Sequence, residues 1–127
     1  RHSFWLVPDK ILPEIDVFSY YRKSPRKIDL KAYSGNVRDK GTLKERKSVL
    51  RGINFSKKYR IYEIYWNSQG IQWKINGVTV RKQHQDIPDQ AMYMILNSGV
   101  DGEIREKDLP KEMCLDWVEA FQERSQT

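Results

Sequence analysis

The sequence has 127 residues, enough for one hydrophobic core and too few for two domains. Hydrophobic residues make up 39% of it and aromatic residues 12%, which predicts a folded protein and excludes a disordered one. The single cysteine excludes an internal disulfide and a multi-cysteine zinc site, and the two histidines have no partners at metal-ligand spacing. No run approaches the roughly 18 apolar residues that a membrane-spanning helix needs, so we expect no membrane partner.

The net charge is +6, and the basic residues concentrate in two stretches, residues 22–27 and 38–51. Such a balance suits an anionic polymer, either a nucleic acid or an acidic polysaccharide. Solvated loops with interspersed acidic residues are the simpler explanation. Because the nucleic-acid hypothesis rests on charge alone, we expect no nucleic-acid partner.

In chain order, the predicted elements are almost all strands. Residues 1–7 enter an apolar, strand-like run without a preceding turn, so we expect the sequence to begin inside a domain. In residues 28–33, apolar and polar side chains alternate with the period of two that a half-buried strand shows. Residues 42–50 suit at most a helical turn or two, with Leu43, Lys47 and Leu50 on one face, because Gly41 and Gly52 bracket the stretch closely.

The second half of the chain continues the pattern. Residues 60–66 and 92–97 are apolar on both faces, as expected for central strands. Asn76-Gly77 predicts a tight hairpin, because a type I′ turn needs positive φ at both positions. Residues 114–121 predict a final strand in which Cys114 is buried. Seven or so strands without a long helix predict an all-β sandwich.

Residues 14–19 are the most informative for function. On a strand, Glu14 and Asp16 point to one face while Ile15 points to the other. Two carboxylates on one face repel each other, which favours either an exposed sheet edge or a functional pair.

The order Glu14-Ile-Asp-Val-Phe-Ser19 resembles the catalytic signature of glycoside hydrolase family 16, which runs Glu, aliphatic, Asp, two apolar residues, Glu. Other segments resemble that family in the same order, namely residues 4–8, 62–66, 70–77, 87–97 and 115–118. The resemblance implies a concanavalin-like β-sandwich (jelly roll) that lacks its N-terminal strands. Residues 1–127 are then a single partial domain, the C-terminal half of the sandwich, with the missing half supplied by residues outside this sequence or by another chain.

The resemblance also implies roles. Glu14 is the nucleophile of a retaining endo-β-glycosidase, Asp16 modulates it, and position 19 is the general acid/base. A β-bulge after Asp16 is needed to return position 19 to the face of Glu14. Ser19, a natural or an engineered replacement, supplies no carboxyl, so we expect impaired hydrolysis. The alternative is a non-catalytic glycan-binding or structural module.

Further residues are implied to bind a polysaccharide. Trp5, Tyr20 and Tyr33 are candidates for stacking on sugar rings, although each also suits the core. Lys31 follows the signature strand where the family has His or Asn; it would lower the pKa of Glu14 and favour an anionic sugar, unless it is an ordinary solvated residue. Asn97 is placed to bind a sugar hydroxyl.

The resemblance implies no required cofactor. It does suggest a structural calcium ion, because Asp116 matches an aspartate that helps to bind calcium in some relatives. It also implies a secreted or periplasmic location.

Overall fold

The computed structural model describes residues 1–9, 12–36, 39–99 and 112–122. Within these ranges the chain forms strands and no helix, and therefore no helix that is long and apolar enough to cross a membrane. The strands are β1 (His2–Val7), β2 (Glu14–Tyr20), β3 (Lys27–Asn36), β4 (Asp39–Arg51), β5 (Tyr62–Asn67), β6 (Gly70–Ile75), β7 (Val78–Gln83) and β8 (Tyr93–Ser98).

The strands form two antiparallel sheets packed as a β-sandwich. The larger sheet has the order β4-β3-β2-β1-β8, and the smaller has the order β5-β6-β7. One face of each sheet is apolar, and burial of these faces against each other stabilises the fold. The core comprises Ile15, Ile28, Leu30, Ala32, Phe55, Ile71, Trp73 and Ile75. The predicted all-β sandwich is confirmed.

The period-two patterns are reproduced in detail. In β6, Ile71, Trp73 and Ile75 are buried while the residues between them are only partly covered. The β6–β7 hairpin turns at Asn76 and Gly77, whose φ angles are 49° and 80°. Both lie in the left-handed region that a type I′ turn requires, so the predicted hairpin is confirmed.

Five local predictions differ from the structure. Residues 42–50 belong to the long strand β4, because hydrogen bonding along β3 outweighs the weak helical pattern. The strands predicted to be central, β5 and β8, lie at the outer ends of their sheets among the described strands. Residues 114–121 form no strand and Cys114 is exposed, because an apolar run becomes a buried strand only where another strand pairs with it.

Candidate active site

A β-bulge in β2 sets the position of the candidate catalytic residues. Against β3, Asp16 pairs with Lys31 and Ser19 pairs with Asp29, so two residues of β2 face the single Leu30. The pairing with β1 is irregular at the same point. Because the extra residue shifts the alternation by one, Ser19 returns to the face that carries Glu14 and Asp16, as the sequence predicted.

The bulge gives the larger sheet a face rich in polar groups on the side opposite the core. Strand register places residues from four neighbouring strands on it. Several of these side chains are buried although they are polar, since they cover one another. We call this surface the polar face; it comprises Ser3, Trp5, Glu14, Asp16, Ser19, Asp29, Lys31, Tyr33 and Asn97.

Glu14 and Asp16 interact directly at the centre of the polar face. Asp16 is buried and Glu14 is half-buried. Burial, a hydrogen bond to Asp16 and the charge of Asp16 together raise the pKa of Glu14 to about 8. Asp16 Oδ1 is buried, and no other group of the described residues donates a hydrogen bond to it. With a pKa of about 8, Glu14 is mostly protonated at neutral pH.

Lys31 neutralises the Asp16 side of this pair. Its Nζ lies 3.7 Å from Asp16 Oδ2, and both side chains are largely buried. Burial lowers the pKa of Lys31, but Tyr33 and the Asp16 carboxylate raise it by more than burial lowers it. The pKa of Lys31 is therefore above its ordinary value, and Lys31 stays charged. Lys31 also lowers the pKa of Glu14, as the sequence suggested, but burial and Asp16 outweigh this effect.

Ser19 occupies the third position of the signature and is completely buried. Its Oγ donates to Asp16 Oδ2 over 3.4 Å, a long contact. A retaining glycosidase needs two carboxyl groups about 5 to 5.5 Å apart. At this position the chain offers only a hydroxyl group, which holds its proton too tightly to act as a general acid near neutral pH.

Trp5 and Asn97 lie beside the carboxylates. Trp5 pairs with Asp16, and Asn97 pairs with Ser3. Asn97 Oδ1 accepts hydrogen bonds from Ser3 Oγ at 2.6 Å and from Trp5 Nε1 at 3.0 Å. These bonds hold the indole ring and the exposed amide in fixed positions next to Asp16.

The two tyrosines predicted to bind sugar lie on different faces. Tyr33 pairs with Glu14 on the polar face, and its ring centroid is 5.3 Å from Lys31 Nζ. Tyr20 lies on the opposite face, where it packs against the core and stacks on His2. Tyr20 therefore does not lie beside the carboxylates, because the bulge that brings Ser19 to the polar face turns the next residue away, and its role in sugar binding stays a prediction.

The sequence analysis missed two residues of this surface. Asp29 lies opposite Ser19 and is 3% exposed, and its Oδ2 is 3.5 Å from Lys47 Nζ. Ser3 is also buried. The signal for Asp29 was present, because it alternates in phase with Lys31 and Tyr33 and must share their face.

The calcium suggestion has little to support it in the described ranges. Asp116 lies in an exposed segment outside any strand, and no three His, Cys, Asp or Glu side chains of the described residues group together. These residues by themselves do not fit a metal ion.

Two shallow depressions of about 300 and 270 Å³ lie on the described surface, lined by residues 24–27 with 51–52 and by residues 65–72 with His84. Neither includes Glu14 or Asp16.

A search of curated proteins finds no match to this sequence. A family model described as Glycosyl hydrolases family 16 matches residues 1–119. The match covers nearly all of the chain and includes both the bulged strand β2 and the polar face. The chain therefore belongs to glycosyl hydrolases family 16 and is a glycosidase-type β-sandwich module.

Proposed function

We propose that this module acts on a polysaccharide that lies across the polar face, with Glu14 as the nucleophile of a retaining reaction. The proposal rests on one observation: the bulge in β2 brings Glu14, Asp16 and position 19 to one face, beside Trp5 and Asn97. Hydrolysis of natural glycans is impaired, because Ser19 offers no proton to the leaving sugar. A polysaccharide substrate agrees with a secreted or periplasmic location.

In the first step, a carboxylate oxygen of Glu14 attacks the anomeric carbon, and the bond from that carbon to the leaving oxygen breaks. The leaving oxygen needs a proton when it belongs to another sugar, and loss of a positioned acid costs about 10² to 10⁴ in rate. Water then attacks the glycosyl ester, which releases the sugar and restores Glu14. Without a base at position 19, this second step is also slow.

The raised pKa of Glu14 adds a pH requirement. Only the ionised carboxylate is a nucleophile, and the pKa of Glu14 is about 8. The rate should therefore rise as the pH increases through about 8. Since no general acid needs to stay protonated, we expect no fall on the alkaline side until the protein unfolds.

Dinitrophenyl glycosides test the missing acid, because their leaving group departs without a proton. We expect the protein to cleave such a glycoside while it leaves the matching oligosaccharide almost unchanged. Glu14→Gln should abolish the cleavage, whereas Glu63→Gln, the same change at an exposed position in β5, should not. Ser19→Glu should restore oligosaccharide hydrolysis by about 10² or more if the buried position accepts the larger side chain.

The result with the dinitrophenyl glycoside does not depend on that variant folding. Glycan binding without cleavage of the dinitrophenyl glycoside at any pH would contradict the proposal. The chain would then be a non-catalytic glycan-binding module.

A further inference from the structure

A group of basic residues lies at the end of the polar face beyond Asp29. Lys27 is two residues before Asp29 on β3 and so points to the same face, and its Nζ lies 3.9 Å from Asp29 Oδ1. Arg51 pairs with Lys27 across β3 and β4, which places it on that face too. Arg26 precedes β3. We call Arg26, Lys27 and Arg51 the basic rim.

The basic rim surrounds a depression of about 300 Å³ that is also lined by Ser24, Pro25 and Gly52. No acidic side chain lines it. Arg26 and Arg51 are exposed, and no ion pair of Arg51 occurs in the described part of the chain. Three positive charges thus meet at one concavity, with the nearest negative charge, Asp29, shared between Lys27 and Lys47.

Backbone hydrogen bonds hold this concavity in shape. Gly52 N donates to Arg26 O at 3.1 Å, and Phe55 N donates to Pro25 O at 2.9 Å. The Arg26 guanidinium also donates to the Gly52 carbonyl. The two turns that carry the basic side chains are therefore tied together before any ligand binds, which lowers the entropy cost of binding.

We propose that the basic rim is a subsite for a sulfate or carboxylate group of an anionic polysaccharide whose chain lies over Glu14 and Asp16. Guanidinium groups bind such planar or tetrahedral anions through paired hydrogen bonds. Lys27 lies four residues along β3 from Lys31, the partner of Asp16, or about 13 Å at the usual strand rise. A glycan that covers the carboxylates extends over this distance. The subsite rests on the proposed function, since it extends the same binding face.

A polysaccharide fits this surface better than a nucleic acid. The rim is continuous with a face that carries Trp5 and Asn97, which suit the rings and hydroxyls of neutral sugars, whereas a nucleic acid carries a charge on every unit. A glycan places its charged groups on some sugars and leaves neutral hydroxyls for others. The rim then selects the charged group, while the neutral part meets Trp5 and Asn97.

The test is calorimetric titration with a sulfated β-galactan oligosaccharide and its desulfated form, with a single-stranded DNA oligonucleotide as a third ligand. We expect the sulfated form to bind at least about tenfold more tightly at low salt. It should lose this advantage near 1 M salt, because the Debye length is then only about 3 Å and charges interact only at contact distance. The double variant Arg26→Gln/Arg51→Gln should remove the advantage. Lys74→Gln/Lys82→Gln makes the same charge change on the outer face of the smaller sheet and should leave it intact.

Thermal unfolding of both double variants checks that they fold. Equal affinity of the wild type for the two oligosaccharides would overturn the subsite. So would an equal loss of the sulfated form's advantage in the two double variants. Tighter binding of the DNA than of the sulfated glycan would replace it with a nucleic-acid site. If the desulfated form alone binds and is weakened by Trp5→Ala, the subsite fails while the proposed function stands. If neither oligosaccharide binds, both fail.

Discussion

Each face of the larger sheet buries some residues completely, but the two faces do so with opposite chemistry. On the core face, Ile15 is 0% exposed; on the polar face, Ser19 is 0% and Asp16 is 1% exposed. Burial of Ile15 stabilises the fold, whereas burial of Asp16 costs free energy that Lys31 offsets only in part. Neighbouring residues of one strand therefore serve stability on one face and, as we propose, chemistry on the other.

The polar face also holds unpaired atoms. Asp16 Oδ1 and Asp29 Oδ1 are buried without hydrogen bonds. Such groups lower stability, but Arg60 Nε and Arg81 Nε are also buried without hydrogen bonds, so unpaired atoms alone do not separate a functional explanation from a structural one. Substitutions on the two faces should separate these explanations.

The largest effect on stability is expected on the core face. Ile15→Ala should lower the free energy of unfolding by about 2–5 kcal/mol, because it leaves a cavity between the sheets. Urea unfolding measures this, with Val78→Ala as the exposed control at less than about 0.5 kcal/mol. An equal effect in the two variants would mean that Ile15 is not enclosed.

Removal of the positive charge on the polar face should have the next largest effect. Lys31→Met leaves Asp16 buried without a cation and should cost about 2–3 kcal/mol. It should also raise the pKa of Glu14 above about 8, which carboxyl titration by NMR would follow. A more stable variant would show that the ion pair is not stabilising, and an unchanged pKa would place Lys31 away from Glu14.

Glu14 links stability to pH. Its folded pKa of about 8 exceeds its ordinary value of 4.5, so the folded state binds the proton more tightly. The stability that the protonated Glu14 contributes is complete below about pH 4.5 and is lost as the pH rises through 8. Because Gln cannot ionise, Glu14→Gln should be more stable than the wild type by about 1–2 kcal/mol at pH 9, after allowance for solvent screening. If the free energies of unfolding of the wild type and of Glu14→Gln changed in parallel from pH 4 to 9, this would contradict the prediction.

The smallest effect is expected at Ser19. Its contact with Asp16 is 3.4 Å long, so Ser19→Ala should change the free energy of unfolding by less than about 1 kcal/mol. Thermal or urea unfolding measures it. A loss of 3 kcal/mol would mean that the hydroxyl group is essential to the buried polar network.

Local patterns predicted much of this arrangement. The signature residues predicted the bulge in β2, and alternation in β3 placed Lys31 and Tyr33 correctly. Tyr20 follows the bulge and lies on the face opposite the carboxylates, which shows that the register shift must be carried through to the end of the strand. The course of residues 42–50 and 114–121 depends on pairing with distant strands, which no local pattern encodes.

Covalent trapping at Glu14 tests the central claim most directly. The protein would be incubated with a dinitrophenyl glycoside between pH 6 and 10, and intact and peptide masses would then be measured. A nucleophile without an acid/base partner should gain one glycosyl unit on Glu14, faster as the pH rises through about 8, and Glu14→Gln should gain none. The absence of an adduct at every pH in a protein that still binds the glycan would contradict a catalytic role for Glu14.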